Sequence, residues 1–191
     1  MKHPCFPAML LFVTFLAFMS CFDDGGDDET YAIGDTGPSG VGIVFYVTDD
    51  GLHGLEVAPV DQSSGSAWSN ITGVLIGTTG TSIGTGFANS NAIIAQSGHT
   101  ASAAKLCRDY RADEEGDWFL PSKVEIKAIW DKLVNDGSGN NNGVGNFYID
   151  GYWSSSEDTA AGAWFLNFNN GSLGADQKDI TGGRVRAIRA F

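Results

Sequence analysis

Apolar, β-branched and aromatic residues first cluster in "GIVFYVTDDGLHGLEVAPV", as two short runs on either side of Asp49-Asp50-Gly51. An Asp-Gly step between such runs is hairpin chemistry, so two early strands are expected, with His53 in solvent just past the turn. From Gly65 to Gly86 the chain is polar and glycine-rich and includes "GTTGTSIGTG". That composition predicts a long irregular loop with one short strand at "GVLIG", and Trp68 within it reads as a packing anchor. Helical spacing follows: Ala103, Leu106, Cys107 and Tyr110 form one apolar stripe, and Gly98 divides the segment into two pieces. A second helix opens in "LPSKVEIKAIWDKLV". Ser122 and Glu125 have capping-box spacing, Pro121 keeps Leu120 extended, and Ile126, Ile129, Trp130, Leu133 and Val134 make the buried stripe. The helix should stop before Asp136, where "NDGSGNNNGVGN" can only be loop.

Strand-like runs then return as "GYWSSSE", "AWFLNFNNGSL" and "GRVRAIRAF", which read as an antiparallel meander. In the middle run Trp164, Leu166 and Phe168 share one face, and Ala163, Phe165 and Asn167 share the other. Arg186 and Arg189 lie three apart, so a regular strand would send them to opposite sides. An inward guanidinium needs a hydrogen-bonded carboxylate, and Asp117 or Glu157 is expected to supply it.

The N-terminus changes the picture of location. Lys2 precedes an apolar run from Ala8 to Met19, too short for a transmembrane helix and suited to a secretory signal. The segment with Cys21 after it resembles a bacterial lipoprotein signal, which implies a signal peptide over 1–20, a lipid on Cys21 and membrane attachment through it. Residues 21–30 hold the acidic run "DDGGDDE" and read as a solvated tether, leaving 31–191 as the folded domain. Once Cys5 is removed and Cys21 lipidated, Cys107 remains without a disulfide partner, so a hydrophobic core must provide the stability. The net charge of −12 disfavours nucleic-acid binding.

Candidate chemistry is sparse. Asp136, Ser138 and Asn140 alternate as calcium-loop ligands do, but the EF-hand positions for glycine and glutamate hold Asn141 and Phe147. An irregular calcium site stays open as an alternative to a plain loop; otherwise no cofactor is expected. The serines of "GYWSSSE" invite a test for a nucleophile. The chain after the signal offers only His53 and His99 as imidazole bases, neither in a motif that places it beside Ser154–Ser156; no G-x-S-x-G surrounds those serines, and no H-E-x-x-H occurs. The serines are read as hydroxyls satisfying backbone groups, with Tyr152 and Trp153 packing.

"GPSGVGIVFYV", "DWFLPSKVEI", "YWSSSE" and "RVRAIRAF", in this order, resemble a bacterial domain family with a C-type-lectin-like fold. The family is typified by the C-terminal ligand-binding domain of the collagen-like adhesin Lcl and is related in fold to formylglycine-generating enzymes. Val41 departs from a glycine common in the first motif. The resemblance implies an α+β fold: a twisted antiparallel sheet with two helices and long loops. It also implies ligand binding without catalysis, since a lone Cys107 cannot supply the cysteine pair of those enzymes. Asp117, Trp118, Ser122, Glu125, Trp153, Glu157, Arg186 and Arg189 are then structural.

Three functions are weighed. The first is a lipid-anchored adhesin-like domain at the outer membrane or cell surface, binding a glycan or protein through Asp158, Trp164, Asn167, Asn169, Asn170, Asp176 and Lys178. The second is a retroelement-diversified receptor-binding protein with "NFNNGSLGADQKD" as its variable segment. The third is an unrecognised enzyme built on Asp113, Glu114 and Asp117, whose carboxylates would need to be held across a pocket.

Overall fold

A computed structural model of the chain describes residues 29–112, 116–135 and 144–191. The signal segment, Cys21, most of the acidic run, Asp113, Glu114 and the Asp136–Ser138–Asn140 set lie outside them.

The first hairpin forms where the pattern placed it. β1 (Ile43–Val47) and β2 (Gly54–Val57) pair antiparallel, and Gly51 supplies the positive φ of +73° that the turn requires. The last strand, β8 (Ile188–Ala190), joins β2 to complete a sheet ordered β1-β2-β8. A second sheet holds β3 (Ser63–Ser66), β4 (Gly151–Glu157), β5 (Gly162–Asn167), β6 (Ser172–Gln177) and β7 (Gly183–Val185), ordered β3-β7-β4-β5-β6. Its pairings are antiparallel apart from β4 with β7.

Four expectations need correction. "GVLIG" is not a strand: its backbone binds side chains, as when Ile76 and Gly77 donate to Glu157. "SSGS" is a strand despite lacking apolar alternation, because β7 supplies a partner edge. "AWFLNFNNGSL" is a hairpin: β5 ends at Asn167, and Gly171 turns the chain at φ +70° into β6. The final run is two strands in two sheets, with Arg186 and Ala187 at the crossing, so the C-terminal quarter is not a simple meander.

Three helices lie among the described residues: the resemblance implied two, and the first segment is divided at Gly98 as its sequence indicated. α1 (Gly86–Ile94) and α2 (Ala103–Asp109) are separated around Gly98, whose φ is +79°. α3 (Lys123–Ile129) begins with the full capping box: Ser122 accepts from Glu125 N, and Glu125 accepts from Ser122 N at 2.6 Å. The apolar stripe continues past Ile129 through a π-helical turn, Trp130–Val134. Glu125 also accepts from Gly84 N at 2.7 Å, which ties the long glycine-rich loop to the start of α3. Burial pushes its carboxyl above the ordinary value, against the opposing effect of those backbone donors.

Neighbouring residues of one strand feed two cores. Tyr152 and Leu166 point to the side holding Phe45, Phe119, Ile126 and Ile129, while Trp153 and Ala163 point to the side holding Trp68, Cys107, Trp118 and Leu120. Trp153 fits because β7 offers Gly183 beside it: a Cβ there would lie 2.1 Å from the indole Nε1, which donates to Ser66 O at 2.8 Å. Gly183→Ala should therefore displace the ring and destabilise the fold by about 1–3 kcal/mol, measured by urea denaturation. An unchanged midpoint would show that the neighbours yield freely.

Candidate functional site

Most charged side chains at the heart of the sheets are consumed by structure. Arg186 is 1% exposed and lies over the Phe147 ring at 4.2 Å. It donates to Asp61 Oδ1 at 2.6 Å and to the carbonyls of Ala58, Gly145 and Asn146. Asp61 also accepts from Arg184 at 3.0 Å and from the Tyr152 hydroxyl at 3.2 Å. The carboxylate partner of Arg186 is thus Asp61, neither Asp117 nor Glu157. Arg189 does meet Asp117, in an ion pair of 2.9 Å, and lies 3.7 Å from Glu56, its cross-strand partner on β2. Both arginines point inward because a sheet crossing lies between them.

Glu157 has another partner. Its Oε1 receives Lys178 Nζ at 2.5 Å, with side-chain exposures of 2% and 0% for the two residues. Lys178 also donates to Val74 O and sits 5.0 Å from the centre of the Trp68 ring, whose Nε1 donates to Ser154 O. Lys178 was expected to meet a ligand and instead is a buried structural cation. Its charge is neutralised by Glu157, and the same carboxylate fixes the loop through Ile76 N and Gly77 N.

The three serines of β4 are fully buried and engaged. Ser154 donates to Trp164 O, Ser156 donates to Gly80 O and accepts from Lys123 N, and Ser155 accepts from Asn89 Nδ2. His53 is exposed on the loop after the first turn. His99 contacts a different serine, Ser102, at 2.9 Å, and that hydroxyl caps α2 by accepting from Lys105 N. Cys107 is buried, and burial pushes its thiol well above its ordinary pKa.

Among the hollows open to solvent is a groove of about 300 Å³ on the sheet, over β4, β5 and β6 and the start of β7; others of about 320 and 440 Å³ lie beside Arg184 and along Ile71–Ile76. Phe165 lies in it, flanked by Trp153, Asn167, Asp150, Asp176 and Ile180. The ring can occupy this place because β6 offers Gly174 opposite it: a Cβ there would be 2.8 Å from the ring. Asp150 and Asp176 stand at the surface, and Asp176 Oδ1 accepts from Gln177 N.

The candidate ligand-binding residues divide accordingly. Asn167 and Asp176 line the groove. Asp158 and Asp176 border a second hollow at the β4–β5 turn. Asn169 and Asn170 belong to the β5–β6 turn, where Asn170 Oδ1 accepts from Ser172 N and Oγ. Trp164 points to the opposite face from Phe165, and the Lys123 ammonium covers its ring at 3.2 Å. Phe165, the aromatic of the groove, was not singled out from sequence. Period-two alternation placed it opposite Trp164 but could not say which face stays open. Of the carboxylates weighed for acid–base work, Asp117 pairs with Arg189, and Asp113 and Glu114 lie outside the described residues. Among the described residues no group of three or more His, Cys, Asp or Glu side chains is placed to hold a metal ion.

The family model of the Lcl C-terminal domain matches residues 59–189. The chain belongs to the Lcl C-terminal domain family. The match begins just after β2, so the Lcl-type unit takes in the whole five-stranded sheet, the three helices and β8 up to Arg189. No curated protein matches the chain.

Two predictions follow from the buried polar groups. Lys178→Met leaves Glu157 as an uncompensated buried carboxylate and should cost about 3–5 kcal/mol, whereas adding Glu157→Gln should restore part of the loss. A double-mutant cycle by urea denaturation measures that coupling; additive losses would contradict it. Burial also raises the Tyr152 hydroxyl to about 12, against 10.0 for an ordinary tyrosine. Below pH 10 both folded and unfolded chains keep this proton, so the group contributes no pH dependence. Between pH 10 and about 12 the unfolded chain loses it first, so stability falls as pH rises. Tyr152→Phe should flatten that part of the stability–pH curve.

Proposed function

We propose that this chain is a non-catalytic recognition domain, held at the outer membrane or cell surface through lipid on Cys21, that binds an extracellular glycan or protein in the groove around Phe165. The observation that carries the reading is the groove itself. It joins the half-buried ring of Phe165, which also packs against the core around Trp68 and Trp118, to the polar groups of Asp150, Asn167 and Asp176. A volume near 300 Å³ lies at the lower end for ligand pockets, which suits one side chain or sugar ring of a larger partner. Membership of the Lcl C-terminal domain family is in keeping with a surface-related role. The full engagement of Ser154 and Ser156 in backbone hydrogen bonds also favours binding over catalysis at β4.

Screening the full chain on glycan and protein arrays, with and without calcium, tests this. The expected result is a ligand whose binding falls about tenfold or more in Phe165→Ala, a loss typical of an aromatic anchor, while the unfolding midpoint of the variant stays measurable. Ligands that bind Phe165→Ala as well as the parent, or hydrolase activity lost on changing Ser155, would overturn the proposal.

A further inference from the structure

Resting on that reading, we infer that the groove around Phe165 takes a lysine or arginine side chain presented by a protein partner. Charge complementarity selects this occupant. Asp150 and Asp176 line the groove at the surface, and Asp158 borders the adjoining hollow with Asp176. The cations nearest in sequence cannot neutralise them all: Lys178 is buried on Glu157, and Arg184 is divided between Asp61 and Asp150. Asp176 is exposed, and its Oδ1 accepts from Gln177 N. The whole chain carries a net charge of −12, so a basic partner is also steered toward it.

The apolar part of the groove specifies the rest of the ligand. Phe165 and Ile180 offer surface to the methylene stem that joins a basic head to its backbone, and the ring face attracts the head itself. A small inorganic cation would gain nothing from these two residues. An anionic polysaccharide would meet carboxylates with no free cation opposite them in the groove. Asn167 supplies a neutral amide on the same face as Phe165; its Oδ1 accepts from Asn169 N, and its NH2 can donate to a partner backbone carbonyl.

The experiment uses the full chain and immobilised hexa-lysine, with fully acetylated hexa-lysine and hexa-glutamate as controls and free spermidine and glucosamine as competitors. Binding to hexa-lysine alone is expected, weakening as salt rises because the carboxylates are exposed. Asp176→Asn should lower affinity roughly fivefold, and Phe165→Ala by a similar factor. Asp35→Asn, an exposed carboxylate in the turn before β1, should leave affinity unchanged. Equal losses for Asp176→Asn and Asp35→Asn would mean diffuse attraction to an acidic surface and overturn the inference. Spermidine or glucosamine competing at concentrations equal to hexa-lysine would overturn the protein partner in favour of a free amine or an amino sugar. A neutral array ligand that depends on Phe165 but not on Asp176 would end this inference while leaving the proposed function standing.

Discussion

The fold depends on one buried guanidinium. Between β7 and β8 the chain leaves the five-stranded sheet and enters the three-stranded one, and Arg186 sits at that step. The planar fork of donors on Arg186 reaches three backbone carbonyls outside the strands, that of Ala58 just after β2 and those of Gly145 and Asn146 in the segment before β4. Asp61 balances its charge and extends the network to Arg184 and Tyr152. An apolar side chain of equal volume could fill the space but could not satisfy those oxygens. The sheets are therefore held at their seam by directional polar contacts, with apolar cores on the two faces of the larger sheet.

The same economy recurs at two other buried carboxylates. Glu125 gathers the start of α3 and the loop before α1, and Gly86 lacks a side chain because a Cβ would lie 2.4 Å from its Oε2. Glu56 on β2 is enclosed by Ser39, Gly37 and Gly42, with Arg189 across the strand pair. Each carboxylate organises a segment that has no regular hydrogen-bonding pattern of its own. That is how a chain whose long stretch from 67 to 85 contains neither strand nor helix still holds a defined shape.

What could be read from sequence follows from how local the determining contacts are. α3 was legible because its cap and apolar stripe lie within a few residues of one another, and the first hairpin because its turn lies between its strands. β3 was hidden: "SSGS" has no apolar alternation, and its strand state comes from β7, more than a hundred residues later. The expected pairing of an inward arginine with Asp117 is seen at Arg189, but Asp61 as the partner of Arg186 was hidden for the same reason, being 125 positions away with nothing local to mark it. Residue type singled out Asn167 and Asp176, which line the groove, together with Lys178, which is buried, because a charged side chain in a polar run is ordinarily solvated. Phe165 was placed on its face correctly, but no periodicity reveals which part of a face its neighbours leave uncovered.

β6 has one further consequence. Along its length, from Ser172 to Gln177, it is exposed or half-buried at every position, and β5 is its sole neighbour in the sheet. Apart from Gly174, where a Cβ would meet the Phe165 ring, its positions therefore carry little of the thermodynamic burden of folding, and Asp176 among them lines the groove. Mutations there can accumulate without being purged for instability, so descendants of this protein could change what they recognise while inheriting the same scaffold.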